Sequence, residues 1–92
     1  MTDQDETPWR QHELKCWPSP FRAMRSGRKT FEYRLNDRGF RLADTLLLKE
    51  WDPEKREYTG EEDVYVVTYI LSGPKFGIPE GYSVMSVRPA NG

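Results

Sequence analysis

The 92-residue sequence contains very little of the two side chains that most often bind transition metals. It has one cysteine, Cys16, and one histidine, His12. A single cysteine excludes a disulfide within the chain and a multi-cysteine zinc site, and it favours a reducing compartment, so we expect a cytoplasmic protein. With one imidazole there is no basis for a histidine metal site, and we expect no metal or other cofactor. Structural roles are expected for both residues.

Long apolar segments are missing as well. No run approaches the roughly 18 apolar residues of a membrane-spanning helix, and a basic start followed by an apolar stretch, as in a secretion signal, is not found. We therefore expect no membrane partner. The glycine-rich phosphate loop, the dinucleotide fingerprint and the serine elbow are also absent, which excludes the common nucleotide-hydrolysing, dinucleotide-binding and serine-hydrolase classes.

Charged residues are abundant but unevenly distributed. The chain has 14 Lys and Arg against 15 Asp and Glu, a net charge of −1. Between residues 22 and 41, however, seven residues are basic and two are acidic, a net +5, and the rest of the chain carries −6. Such a distribution attracts an anion at one place while the whole molecule resists indiscriminate binding to polyanions.

Alternation of apolar residues and the positions of Gly, Pro, Asn and Asp predict one small domain over residues 12–88, with a lead-in at 1–11 and a tail at 89–92. A short helix is predicted to end at Gly27. Strands are predicted at 12–17, 30–34, 45–51, 63–71 and 83–88. The strand at 63–71 is apolar on both faces and is expected to be central. This pattern favours an α+β fold with a small mixed β-barrel of about five to six strands and one main helix after the first strand.

The segment Gly27–Arg34, GRKTFEYR, is the most informative part of the sequence. The two-residue period of a strand places Glu32 and Arg34 on one face and the aromatic residues between them on the other. Lys29 leaves the turn at the start of that strand. A carboxylate between two cations offers a polar ligand both donors and an acceptor, so a phosphate or a base amine would fit there. The alternative is a surface salt bridge of little energetic value.

The spacing Gly27-x-Lys29-x-x-Glu32-x-Arg34 is similar to the G-x-K-x-x-E-x-R signature of ASCH domains, members of the PUA-like superfamily. The segments HELKCWPSPFRAMRSGRKTFEYR, DRGF, LLLKEWDPEKREYTG and FGIPEGYSVMSV resemble, in the same order, a short bacterial and phage ASCH-like family of unassigned function. The resemblance covers His12–Val87. It implies a PUA-like β-barrel with a cleft between the first helix and the barrel, and RNA, another nucleic acid or a modified nucleoside as the ligand.

On this interpretation Lys29, Glu32 and Arg34 recognise the ligand. Aromatic side chains near the cleft would stack on a base, and a further lysine would lie beside the motif strand. These additional ligand-binding candidates are Lys15, Trp17, Phe76 and Tyr82. The predicted phosphate contacts are Arg22, Arg25 and Arg28, which lie three apart.

Two other functions stay open. One branch of ASCH proteins consists of small amidohydrolases that deacylate N4-acylated cytidine with a lysine after Gly-Arg, a threonine three residues later and a distal glutamate. Lys29 matches the lysine, but Glu32 stands where these enzymes have the threonine. If the chain is an amidohydrolase of this branch, Lys29 and Glu32 are its expected catalytic residues. The distal glutamate stays unassigned among Glu61, Glu62 and Glu80. The departure favours binding over hydrolysis. The remaining alternative is a protein–protein adaptor that uses its acidic surface.

Overall fold

A computed structural model of the chain describes residues 10–91. The elements follow in the order β1 (Gln11–Cys16), α1 (Pro18–Arg25), β2 (Phe31–Leu35), β3 (Thr45–Asp52), β4 (Glu57–Ser72) and β5 (Tyr82–Pro89). Most of the predicted lead-in, residues 1–9, lies outside the described residues. The first and last strands extend one residue beyond the predicted 12–88 domain at each end.

The five strands form one mixed sheet in the order β1-β3-β4-β5-β2. Strand β1 pairs with β3 in parallel, and all other neighbours are antiparallel. The predicted central strand is central, because β4 lies in the middle with two strands on either side. Register shifts between Lys49 and Trp51 and between Val67 and Tyr69 interrupt the ladders, and irregularities of this kind increase the bend of a sheet. A small mixed sheet with one helix agrees with the predicted α+β class.

Helix α1 connects β1 to β2 across the sheet. Pro18 stands at its first position, where a missing backbone N–H costs nothing. Gly27, with a φ of 83°, has the left-handed conformation predicted just after the helix. Phe21 and Met24, three residues apart, are both buried and form the face that packs on the sheet. No helix of residues 10–91 combines the length and apolar character needed to cross a bilayer.

The core lies between α1 and the inner face of the sheet. It consists of Leu14, Cys16, Phe21, Met24, Phe40, Leu46, Leu48, Tyr65, Val67, Met85 and Val87. At one end of the core His12 is buried and its Nε2 lies 2.8 Å from Oδ2 of Asp44. The same carboxylate accepts the backbone N–H groups of Arg10 and Arg41. His12 therefore has the structural role expected of it, since this network ties the start of β1 to the turn before β3.

Candidate ligand-binding site

Strand β2 presents its polar side chains to the interior and its apolar ones to solvent. Glu32 is only 4% exposed and pairs in register with the buried Met85, whereas Phe31, Tyr33 and Leu35 are 44–49% exposed. In most half-buried strands the apolar face packs inward, because burying apolar surface stabilises the fold and burying a carboxylate does not. The polar face of β2 is therefore an internal site and not a solvated surface.

The carboxylate of Glu32 is held between two cations. Nζ of Lys29 donates to Oε2 at 3.1 Å, and Nε of Arg34 donates to Oε1 at 2.9 Å. Lys29 also donates to the carbonyl oxygen of Phe31 at 2.7 Å. Each carboxylate oxygen thus has a charged donor, as a buried carboxylate requires. The three residues predicted from the motif spacing do converge.

Strands β1 and β2 are the two edges of the described sheet, and arginine side chains bridge the seam between them. Nη2 of Arg34 donates to the carbonyl oxygen of Lys15 at 2.9 Å. Nη1 of Arg38, from the turn after β2, donates to the carbonyl oxygen of Glu13 at 2.8 Å. Both acceptors are carbonyls on the edge of β1 that faces away from β3, where no strand of residues 10–91 pairs. The guanidinium groups therefore draw the curved sheet together where backbone pairing stops.

A cavity of about 390 Å³ opens in this seam. The residues around it are Leu14, Glu32, Tyr33, Arg34, Leu35, Asp37, Arg38, Phe40 and Tyr82. At its rim the rings of Tyr33 and Tyr82 stack with centroids 5.4 Å apart and an interplanar angle of 26°. The cavity thus combines a buried carboxylate, two guanidinium groups and an aromatic rim. Such a set can hydrogen-bond the edge of a planar polar ligand and stack on its face.

The cavity differs in position from the expected cleft between the first helix and the barrel. Of the predicted ligand-binding residues, Glu32, Arg34 and Tyr82 line it, and Lys29 is connected to it through Glu32. The expected place depended on the helix being one wall. Instead the two sheet edges form the walls, because α1 packs its apolar face on the sheet and fills the space beneath it.

The other three candidates do not join the cavity. Lys15 occupies an outward position of β1, since the alternate positions are the buried Leu14 and Cys16. Trp17 follows β1 at the start of α1 and is exposed. The Nζ of Lys15 instead lies 3.9 Å from the centre of the Trp51 ring on the outer surface. Phe76, in the loop before β5, is 77% exposed and is absent from the cavity lining. The expectation that these three residues surround the ligand is therefore not met by this cavity.

The predicted phosphate-contacting residues Arg22, Arg25 and Arg28 are exposed, but Arg25 is already paired with two carboxylates of the same chain. Arg25 donates through Nε to Asp63 at 2.8 Å and through Nη1 to Glu61 at 2.9 Å. These hydrogen bonds, with Asp63 the larger contributor, raise the pKa of the guanidinium above its ordinary value. Arg28 stays at the surface, and Arg22 approaches a buried carboxylate. The two acids next to Arg25 make this face a weaker anion site than the sequence suggested.

That buried carboxylate is Glu50, which sequence reasoning missed. It is 4% exposed, and its Oε1 accepts from Oγ1 of Thr59 at 2.8 Å. Its Oε2 has no hydrogen-bond partner in residues 10–91, and Nε of Arg22 lies 3.8 Å away. The signal was present in the alternation of β3, since Glu50 follows the inward positions of Leu46 and Leu48 at the same two-residue period.

Cys16 lies between the Glu32 group and Glu50. It is the register partner of Glu50 across β1 and β3. Burial, and secondly the negative charge of Glu32, raises the pKa of the Cys16 thiol to about 11. A thiol of this kind is protonated and unreactive at neutral pH. Within residues 10–91 no group of three His, Cys, Asp or Glu side chains is placed to hold a metal ion.

Asp37 and Arg38 are further cavity residues that were not predicted. They belong to the DRGF turn, whose sequence indicates a turn but not which part of the sheet the turn reaches. The excess of basic residues between 22 and 41 was a partial signal, because both arginines that bridge the seam come from this range.

Comparison with known proteins gives a family but no activity. A family model described as a domain of unknown function matches residues 11–87, from the first residue of β1 into β5. No curated protein matches the chain. Any functional assignment must therefore come from the residues of the chain itself.

Proposed function

Because the chain belongs to the DUF3850 family, a domain family of unknown function, we propose a function from the chemistry of its own cavity. The protein binds nucleic acid, with RNA or a modified nucleoside as the preferred ligand, by holding one base in the seam between β1 and β2. The observation that carries the proposal is the burial of Glu32 on the inward face of β2, beside a cavity and between two cations.

A carboxylate in this position recognises a hydrogen-bond donor. Base edges carry exocyclic amines and ring N–H groups, and carboxylates accept hydrogen bonds from such amines in protein–nucleic acid complexes. Lys29 and Arg34 pair with the two oxygens of the Glu32 carboxylate and fix its orientation. The carboxylate is therefore prepared to accept from a ligand before the ligand arrives, which lowers the ordering cost of binding.

The other cavity residues suit the remaining parts of a nucleoside. The guanidinium groups of Arg34 and Arg38 are donors for a base carbonyl or a phosphate oxygen. The stacked pair of Tyr33 and Tyr82 offers ring surface to a base. Stacking of a base on an aromatic ring contributes substantially to binding energy and does not depend on which base is bound. The volume of about 390 Å³ falls in the range of small-molecule sites.

The ASCH-like resemblance of the sequence supports the same proposal. Its motif residues Lys29, Glu32 and Arg34 form one connected group of hydrogen bonds and are not spread over the surface. We propose that the fold is the PUA-like barrel that the resemblance implies, with the ligand in the seam between its edge strands.

The contacts of Lys29 favour binding over amide hydrolysis. Its Nζ faces three acceptors, the Phe31 carbonyl, Glu32 and the Met24 sulfur at 3.9 Å. Three acceptors match the three protons of an ammonium group, which is neither a base nor a nucleophile.

The proposal is tested by titrating isotope-labelled protein with a panel of nucleosides and short single-stranded RNAs, and following backbone amide shifts by NMR. We expect saturable shifts at Tyr33, Leu35 and Arg38. Glu32→Gln should weaken binding at least tenfold because the carboxylate acceptor is lost. Glu80→Gln, an exposed residue of the β4–β5 loop, is the matched control.

Folding must be separated from binding in this test, because Glu32 is buried. Arg38→Gln changes a more exposed cavity residue. It should weaken binding, while its amide spectrum should remain that of a folded protein. If no nucleoside or RNA shifts the cavity amides, or if both cavity variants bind like the wild type, the proposal is wrong.

A further inference from the structure

The outward face of β2, β5 and β4 is an uncharged surface formed mostly by aromatic and aliphatic side chains. Cross-strand register arranges it in rows, and we call it the outer aromatic face. Its residues are Phe31, Ser86 and Tyr69 in one row, Tyr33, Val84 and Leu71 in the next, and Leu35 with Tyr82 in the last. All eight are at least partly exposed. In a chain with 32% charged residues, eight adjacent positions without a charge indicate a binding surface.

This face is continuous with the seam cavity. Tyr33 and Tyr82 belong to it and also line the cavity, where their rings stack. Tyr69, 61% exposed, and Phe31, 44% exposed, lie further along the face and do not line the cavity. A ligand that enters the seam past the tyrosine pair therefore meets more exposed ring surface outside it.

Cations border the face beside the row of Phe31, Ser86 and Tyr69. Nζ of Lys29 lies 4.7 Å from the centre of the Phe31 ring. Arg88 is exposed and occupies the next outward position on β5 after Ser86. Ring surface bordered by positive charge is the arrangement by which proteins hold unpaired bases and the phosphates between them.

We propose that the outer aromatic face is a stacking surface for single-stranded nucleic acid, two or three nucleotides of which lie outside the base held in the seam. This inference rests on the proposed function and extends it, because it makes the ligand a strand and not a free nucleoside. Exposed aromatic rings on neighbouring strands are a general means of binding two or three unpaired bases on a sheet.

The size of the face favours bases over a second copy of the chain. Three strands about 4.8 Å apart and five residues at about 3.4 Å each cover roughly 14 by 17 Å. A stable protein interface buries about 800 Å² from each partner, which is more than this face offers. The cations along one border also complement phosphates, whereas an identical copy would bring like charges together.

The test compares binding of a single cytidine nucleoside with binding of a fluorescently labelled six-nucleotide cytidine RNA. The nucleoside is followed by NMR and the RNA by fluorescence anisotropy. The RNA should bind at least tenfold more tightly. Phe31→Ala and Tyr69→Ala should each lower the ratio of RNA to nucleoside affinity about tenfold. Tyr58→Ala, another exposed aromatic residue but on the β3–β4 hairpin, is the control and should leave the ratio unchanged.

Salt dependence gives a second readout. Arg88→Gln should reduce the slope of log affinity against log salt by about 0.7 for the RNA, since one phosphate contact is lost. If the nucleoside binds and the RNA binds no more tightly than the nucleoside, the inference is wrong and the proposed function stands. Absence of binding by either ligand would overturn both. A dimer in sedimentation that Tyr69→Ala dissociates would make the face a self-association surface and overturn the stacking proposal.

Discussion

Arg34 on β2 and Lys15 on β1 are joined across the seam of the sheet by a hydrogen bond of 2.9 Å, from Nη2 to the main-chain carbonyl oxygen. The same guanidinium donates through Nε to Glu32 at 2.9 Å. One side chain therefore holds the two sheet edges together and orients the buried carboxylate. The planar fork of arginine makes both directions available at once, which a lysine ammonium on a flexible stem does not.

Arg34→Lys should weaken both functions of this side chain. Losing either hydrogen bond to a partly buried acceptor destabilises a protein by about 1–2 kcal/mol. We expect a loss of that size in urea denaturation, together with weaker nucleoside binding. Arg28→Lys changes an exposed arginine that contacts Ser26 and should be neutral in both measurements. Equal stability of the two variants would show that the seam does not depend on Arg34.

Glu50→Met should leave the protein as stable as the wild type or make it more stable. The Oε2 of Glu50 is buried without a hydrogen bond, and replacing such a carboxylate by an apolar side chain of similar volume is often neutral or stabilising by 1–4 kcal/mol. The comparison is made by chemical denaturation, with the exposed Glu54→Met as control. A loss of more than about 1 kcal/mol would mean that the polar contacts of Glu50, the hydrogen bond from Thr59 and the 3.8 Å approach of Arg22, are net stabilising.

Local sequence patterns were sufficient for the order of the elements and for the centre of the candidate site, although β4 begins at Glu57, within the predicted hairpin loop. The two-residue period of β2 put Glu32 and Arg34 on one face, and Gly27 marked the end of the helix, because both features are set by backbone geometry within a few residues. The same period could have identified Glu50 as inward and Lys15 as outward. The inward or outward orientation of both residues follows from the alternation of buried and exposed positions in β3 and β1.

The position of the cavity was not readable from local patterns. It depends on which strands become the sheet edges, and β1 and β2 are separated in the sheet by the three other strands. Arg38 reaches the Glu13 carbonyl over 25 residues of sequence. Such a contact follows from the curvature of the whole sheet. For the same reason the sequence suggested a wall made by the helix, which is close along the chain, and missed the wall made by the opposite edge.

Asp44→Asn should destabilise the protein by about 2 kcal/mol at neutral pH, because its carboxylate accepts from His12 and from two backbone N–H groups. Burial alone would raise the pKa of Asp44, but these hydrogen bonds outweigh it and lower the pKa below its ordinary 3.8. A lowered pKa in the folded state stabilises above the unfolded pKa, and the stabilisation is lost as the pH falls through the folded value.

The pH dependence of Asp44 is measured as the difference in unfolding free energy between wild type and Asp44→Asn from pH 6 to pH 2. That difference should be constant above about pH 5 and should shrink below pH 4. Asp37→Asn, in the exposed turn after β2, serves as the control and should follow the wild type. A difference that does not change with pH would assign the loss to packing and not to the carboxylate charge.

The Cys16 thiol should make the protein less stable at alkaline pH. Its pKa is raised from 9.0 to about 11 in the folded state, chiefly by burial, so the folded protein retains a proton that the unfolded chain releases. The stabilisation from the protonated thiol is complete below pH 9 and is lost as the pH rises from 9 to 11. The expected loss by pH 10 is about 1.4 kcal/mol, which corresponds to one pH unit of linkage.

Cys16→Ala separates this effect from the titration of other groups. The variant is expected to be less stable than the wild type at pH 7, because removing a buried sulfur leaves a small cavity. The difference in unfolding free energy between the wild type and Cys16→Ala should be about 1.4 kcal/mol smaller at pH 10 than at pH 7. Tyr65, whose pKa is also raised, chiefly by burial, is present in both proteins, and only the minor contribution of Cys16 to that raised pKa differs between them. If the unfolding free energies of the two proteins change in parallel from pH 7 to pH 10, the pKa of the Cys16 thiol is not raised in the folded state.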